Sequence, residues 1–274
     1  MAEPIYIVSK EGACDAIDDT IAPPSRSEFL TSVWKDTLAR ASSFPVKPSI
    51  KVTHDKTAIL SKIYDTTRIE VTGEDTLVAG KRLVDAGFNP LILNFADDLD
   101  AGGVVDNGNS AQEESLWRRT NLCATQLQSF YPLHTNPQEG VYSPLVSVFK
   151  DTEANDCLDL EKPWTAAFIA VPGLKFPGVN SQKKVCLSDL MLMRQKCELI
   201  FQVGKRNGHD SLVLGPLGCG VWRSPPQHIA EIMCSVCNTY KGVFKHITFA
   251  CLTRGPASNN SNYTIFSNVL SSAY

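Results

Sequence analysis

Two adjacent carboxylates, Glu113 and Glu114, close a glycine-bearing stretch that reads NFADDLDAGGVVDNGNSAQEESLWRR over residues 94–119. A carboxyl that gives up and regains a proton is a candidate general acid and base, and glycines ahead of it let backbone press against a ligand. The chemistry this suits is proton transfer on a phosphorylated or sugar-containing ligand. Ser110 and Glu113 match the S-x-x-E capping box, in which Glu113 reaches back to the N-cap amide. Glu114 then points about 100° away around the helix. The neighbours therefore do not form the facing pair of most glycosidases, and Glu114 is left for the ligand side. A general acid there needs burial and nearby negative charge. Taken alone, Glu114 also reads as a plain exposed helix carboxylate.

A second glycine-bearing loop follows at residues 212–224, with Gly215, Gly218 and Gly220. Ser224 as N-cap, Pro225 at the first helical position and Gln227 completing a capping box predict a helix start there. Free N–H groups at such a start suit an anion without any lysine. The same glycines equally suit a tight turn that packs strand on helix, and both readings stand.

The elements that must hold these loops follow from periodicity. Residues 1–24 read as an irregular arm. Helices are expected over 25–41, with Ser25 and Glu28 as a capping box, and over 74–86, stopped by Gly87. Further helices are expected at 187–207, 225–240 and 262–270. Strands are expected at 50–52, 69–71, 90–95, 165–171, 211–214 and 246–252. Residues 131–163, with Pro132, Pro137, Pro144 and Pro163, read as a long irregular stretch. Alternating strands and helices imply a mixed or parallel sheet covered on both faces, with ligands at the carboxyl ends of strands.

Bulk properties narrow the partners. The 274 residues carry a net charge of -3, which disfavours reading duplex nucleic acid through its phosphates. Lys183 with Lys184 and Lys205 with Arg206 read as solvated faces. No apolar run approaches the roughly 20 residues that span a bilayer, and the first residues do not read as a signal peptide. The nine cysteines do not form a disulfide framework, and Cys234 and Cys237 read as buried thiols rather than a zinc or redox pair. An intracellular, reducing compartment, cytoplasmic or nuclear, is the expectation, in which the Asn259 and Asn262 sequons mean little. His209 and His228 read as surface or satisfied residues.

The first stretch resembles the signature of poly(ADP-ribose) glycohydrolases, in which three glycines precede Gln-Glu-Glu by six to eight residues. Here it runs from Gly102 and Gly103 to Gln112, Glu113 and Glu114. The wording LNFA at 93–96 and LGPLGCGVWRSP at 214–225 resembles the microbial-type branch, as do VTGEDTL at 71–77, YSP at 142–144, VFK at 148–150 and GHD at 208–210. The likeness covers residue 50 onward.

It implies a macrodomain-like fold, a three-layer α/β/α sandwich with a mixed central sheet. An arm and helix over 1–48 would pack on a catalytic domain over 49–274. Glu114 would be the acid and base at the ribose–ribose bond, with Glu113 and Gln112 positioning the ribose. Asn94, Asp100, Gly102, Gly103 and Val104 would line the site. Gly218, Cys219, Gly220 and Val221 would hold the diphosphate, with Trp222 in place of a usual Phe beside the distal ribose. No metal or cofactor is implied. The partner would be poly(ADP-ribose) or an ADP-ribosylated macromolecule, with ADP-ribose as product and the enzyme a monomer.

Two departures stand out. Val104 replaces the third glycine, or Ala101 the first, and a β-branched Val resists a positive φ. Asp100 falls where Asn is expected. The resulting expectation is an exo-type poly(ADP-ribose) glycohydrolase. The alternatives are a mono-ADP-ribosyl hydrolase acting on protein or nucleic acid, and a non-catalytic ADP-ribose reader. A nicotinamide dehydrogenase is disfavoured because no GxGxxG follows the first strand.

Overall fold

The computed structural model describes residues 24–134, 138–180, 185–253, 255 and 261–271. The expected arm up to residue 23, Pro137, Lys183, Lys184 and Asn259 lie outside them. In chain order the elements are α1 (Arg26–Arg40), β1 (Ile50–Thr53), β2 (Arg68–Thr72), α2 (Thr76–Asp85), β3 (Pro90–Ala96), α3 (Gln112–Arg119) and α4 (Leu122–Thr125). They continue with β4 (Glu139–Lys150), β5 (Asp159–Pro172), α5 (Leu187–Arg206), β6 (Ser211–Leu214), α6 (Pro226–Thr239), β7 (His246–Ala250) and α7 (Asn262–Ser271).

The strands form a seven-stranded mixed sheet in the order β1-β4-β5-β3-β6-β7-β2. From β5 to β2 the neighbours run parallel, and β4 pairs antiparallel with both β1 and β5. Side chains on a strand alternate between faces, and β3 obeys this. Leu91 and Leu93 join the core beneath α5, α6 and α7, while Ile92 joins the core beneath α1, α2 and α3. Because helices cover both faces, the central strands carry apolar residues on both faces rather than alternating with polar ones. The α/β/α sandwich with a mixed sheet is therefore as expected.

One expectation fails. Residues 131–163 are not irregular: they contain β4 and the first part of β5. Prolines hid these strands from the sequence. Pro144 lies at the register shift between Ser143 and Val146, and Pro163 lies where β5 is out of step between Asp159 and Trp164. A proline is tolerated in a sheet where the ladder is interrupted.

Local capping fixes the helices that matter for the site. The Ser25 and Glu28 capping box opens α1 as expected. At α2 the cap is Asp75, whose Oδ1 accepts from the amides of Leu77 (2.9 Å) and Val78 (3.3 Å). The same carboxylate pairs with Arg119 of α3 through both oxygens, at 3.0 and 2.9 Å, and the Arg119 side chain is buried. This one residue joins the start of α2 to the end of α3.

Asp75→Ala should cost about 3–5 kcal/mol, because it leaves a buried guanidinium unpaired and removes a cap. Asp75→Asn, which keeps a capping oxygen, should lose about 1 kcal/mol less. Urea unfolding measures both. Equal stability of wild type and the Ala variant would overturn this reading of the contact.

Candidate active site

Parallel neighbours end at the same edge of a sheet, so β5, β3 and β6 deliver three loops side by side. They are the segment after Pro172, the first glycine loop after Ala96 and the second glycine loop after Leu214. A cavity of about 900 Å³ opens at this edge. Gln112, Gly218, Gly220, Val221 and Trp222 line it, with Asp75 on the α2 side. Glu113 and Glu114 do not line this cavity. They lie one and two positions along α3 from Gln112, beneath the first loop.

The start of α3 differs from the sequence expectation. Its N-cap is Ala111, with no side-chain cap, and Ser110 does not form a capping box. Glu113 is drawn the other way, towards the end of β3. Its carboxylate accepts from the Asp97 amide (2.6 Å) and from the Asn94 side-chain amide (3.1 Å). Burial pushes the Glu113 carboxyl well above its ordinary value, and the charges of Glu114 and Asp97 add to this against those two hydrogen bonds. Asn94 is fully buried, and its side-chain amide meets the Glu113 carboxylate.

Gln112 is similarly committed. Its amide nitrogen donates to the Leu93 carbonyl (2.8 Å), and its oxygen accepts from the Phe95 amide (2.8 Å). Gln112 thus rivets the start of α3 to β3 while one face of it borders the cavity. Glu114 is also buried, and its Oε1 accepts from the Val104 amide at 3.3 Å.

The two glutamates leave the helix in different directions yet converge on Gly103. A Cβ there would sit 2.8 Å from Glu114 Oε1 and 3.2 Å from Glu113 Oε2. A side chain at 103 would displace the pair, which gives this glycine its physical reason. The concern over Val104 is resolved by the backbone. Gly102 and Gly103 take the left-handed angles (φ 83° and 58°), while Val104 has φ -109°, which suits any residue. Asp100 is exposed, and its carbonyl accepts from the Gly103 amide at 3.1 Å.

Residues the sequence reading passed over brace this loop. Asp97 folds an Asx turn, its Oδ1 accepting from Leu99 (2.8 Å) and Asp100 (3.2 Å). The turn-forming Asp after a strand was the available signal. Gln128 accepts from the Ala101 amide (2.8 Å) and donates to the Leu99 carbonyl (3.0 Å). From α1, Trp34 donates to Asp106 (2.5 Å) and Ser27 to the Asn107 carbonyl (2.9 Å). These longer-range partners leave no mark in the local sequence.

The second loop curls by Cys219 donating to the Pro216 carbonyl and Ser224 to the Gly218 carbonyl, each at 3.0 Å. Gly218 takes φ 78°. The amides of Gly218, Gly220, Val221 and Trp222 have no acceptor among the described residues. Consecutive free N–H groups facing a cavity form an anion-binding nest. The expected helix start needs correction, because α6 begins at Pro226 with Pro225 as N-cap and no side-chain cap. Ser224 Oγ instead donates to the Leu174 carbonyl (3.0 Å), and Gln227 donates to Glu231 (2.8 Å). Cys219 is half-buried, and burial pushes its thiol well up.

Other sequence candidates lie elsewhere. Cys234 and Cys237 are free thiols buried in α6. His209 is a satisfied residue, with Nε2 3.0 Å from the Tyr142 hydroxyl and Nδ1 3.2 Å from the Asn89 carbonyl. Among the described residues no cluster of His, Cys, Asp and Glu could hold a metal ion, and no helix is long and apolar enough to cross a membrane.

Comparison with known proteins bears on this arrangement. Residues 30–151 match the family model described as "Microbial-type PARG, catalytic domain". The structure of poly(ADP-ribose) glycohydrolase (PARG) from Thermomonospora curvata is similar, with a TM-score of 0.76 and 25% identity over 88% of this chain and 99% of that one. The same enzyme bound to the inhibitor ADP-HPD gives a TM-score of 0.75 and 26% identity over the same shares. PARG from Deinococcus radiodurans in complex with ADP-ribose shares the fold, with a TM-score of 0.65 and 24% identity over 91% and 92% of the two chains. None of the curated proteins compared with the chain matches it. A glutamate pair gathered under one glycine loop, beside free amides in the next, thus sits in a chain whose residues 30–151 match the microbial-type poly(ADP-ribose) glycohydrolase catalytic domain and whose fold is similar to that of the bacterial enzymes.

Proposed function

We propose that this protein is a poly(ADP-ribose) glycohydrolase that releases ADP-ribose from polymer ends, with Glu114 as general acid and base. The observation that carries the reading is the convergence of Glu113 and Glu114 on Gly103, beside the free amides of Gly218, Gly220, Val221 and Trp222. A ligand with its diphosphate on that nest would bring its distal ribose towards the first loop. The cavity of about 900 Å³ is sized for one such unit, which supports attack from the chain end. The nest and cavity support ADP-ribose as the group bound, and bound ADP-ribose and ADP-HPD in the two relatives point the same way.

In this reading the Glu114 proton passes to the ribosyl oxygen that leaves as the glycosidic C–O bond breaks. The resulting carboxylate takes a proton from the water that adds to the sugar carbon, which restores the starting state. Glu113, Asn94 and Gln112 are positioning residues, since the Glu113 carboxylate is held by the Asp97 amide and the Asn94 side chain and Gln112 is bonded to Leu93 and Phe95. Asp100, Gly102 and Val104 shape the approach, and Gly218, Cys219, Gly220, Val221 and Trp222 hold the diphosphate side. The division into an arm with α1 over 1–48 and a catalytic unit over 49–274 belongs to the same proposal, with α1 as a brace. The free cysteines suit a reducing, intracellular setting, and a monomer suffices for the site.

Purified protein incubated with labelled polymer should release ADP-ribose, and Glu114→Ala should lower the rate by about 10²–10⁴-fold while still binding ADP-ribose in calorimetry. No release by wild type, or an equally fast variant, rejects the proposal. Turnover of a mono-ADP-ribosylated protein in preference to polymer would favour the mono-ADP-ribosyl hydrolase, and tight binding without any turnover the reader.

The pH dependence of stability tests the buried proton on Glu113. The unfolded chain releases it near the ordinary glutamate value, roughly 4.3, whereas the folded chain holds it to higher pH. Across that window the folded state binds more protons, so this group's contribution to stability falls as pH rises. Glu113→Gln removes the titration, and its thermal stability relative to wild type should therefore improve steadily from acid to neutral pH. A difference that does not change with pH would refute the assignment.

A further inference from the structure

Lys175, on the segment that follows β5, touches both other loops of the site. Its ammonium lies 4.8 Å from the centroid of the Trp222 ring. It pairs with Asp97 Oδ2 at 3.1 Å and donates to Asp98. Asp97 is the residue whose amide holds Glu113 at 2.6 Å. A contact path therefore runs from Trp222 through Lys175 and Asp97 to the buried carboxylate.

The near end of this path is firmly built. Phe176 donates its amide to the Trp222 carbonyl (2.9 Å), and Ser224 Oγ donates to the Leu174 carbonyl (3.0 Å). Gly173 packs directly on Gly218, where a Cβ would lie 2.8 Å from the Gly218 Cα. Phe176 and Arg223 both take left-handed angles (φ 47° and 57°), which bulky residues keep only when their surroundings over-determine them. The β5 segment and the second loop thus behave as one body. The Lys175 side chain reaches from that body to the first loop.

We infer that Lys175 is a positioning residue: it couples occupation of the amide nest at 218–222 to the placement of the catalytic glutamates. The inference rests on the glycohydrolase reading above. A ligand held by the second loop fixes Trp222, the fixed ring seats the lysine, and the lysine steadies the turn that supports Glu113. Burial works against the charge on Lys175, but pairing with Asp98 and Asp97 outweighs it and raises the ammonium above its ordinary value, so it stays charged at neutral pH. A cation over a ring face and between two carboxylates is a specific arrangement. Nothing in it touches the scissile bond.

Three measurements on the full chain test the coupling. Lys175→Met keeps the apolar stem over Trp222 and removes the charge. It should lower kcat by about ten- to a hundredfold through misplacement, with KM little changed. Lys175→Arg should restore most of the rate, because a guanidinium can stack on Trp222 and pair with the same carboxylates. Combined with Asp98→Asn, Lys175→Met should be no slower than the worse single variant, as expected for one shared path.

Hydrogen exchange with ADP as probe supplies a readout without turnover, since ADP lacks the distal ribose that would meet the first loop. ADP should slow exchange at residues 97–103 in wild type but only around 216–222 in Lys175→Met. An unchanged kcat, a loss confined to KM, additive effects with Asp98→Asn, or the same exchange pattern in both proteins would each overturn the coupling. If wild type fails to cleave polymer, the glycohydrolase reading falls, and the exchange comparison still decides whether Lys175 couples the loops.

Discussion

A carboxyl group as deeply buried as that of Glu113 must be met by donors or hold its proton, and the site is organised around that demand. The Asp97 amide and the Asn94 side chain supply the donors, which ties the first turn of α3 to the last turn of chain leaving β3. Gln112 repeats the tie from the neighbouring helical position, with hydrogen bonds to Leu93 and Phe95. With the helix start fixed in this way, Glu114 can be set under the loop without a cap of its own. Side-chain bonds to the end of β3, rather than a cap, anchor the helix N-terminus.

The same demand explains which positions of the loop are glycine. Two carboxylates brought to one point leave no volume for a side chain at 103, and the turn before it needs left-handed backbone at 102. One step on, the chain has returned to ordinary angles and Val104 is accommodated. Behind the loop, Trp34, Ser27 and Gln128 hold it from α1 and from the segment after α4. The placement of the first loop over the two glutamates thus depends on helix α1, which supplies neither glutamate.

Most of the strands and helices, and the two glycine loops, could be read from the sequence because they rest on local signals: apolar runs, caps and turn residues. β3 was legible because an apolar run of this length, bounded by Pro90 and Asp97, has few other uses. What escaped were features decided by distant partners. Glu113 has the spacing of a capping residue, yet Asn94 and Asp97 outcompete the cap. Ser224 likewise deserts the helix start for the Leu174 carbonyl. β4 and early β5 were hidden because the prolines that usually end strands sit at places where their ladder is already interrupted. Local pattern proposes, and a tertiary hydrogen bond to a buried group overrides it.

The nest and the glutamates come from different stretches of chain, about a hundred residues apart, carried by adjacent strands. This division of labour has an evolutionary consequence. In the proposed mechanism, ligand capture by the loop after β6 does not require the acid on α3, and the acid's setting at the end of β3 does not require the nest. Each could be lost by small changes in one loop while the sheet keeps the other intact. Sequences that retain the amide nest but lose Glu114 would persist as binders, and the fold gives such descent an easy route.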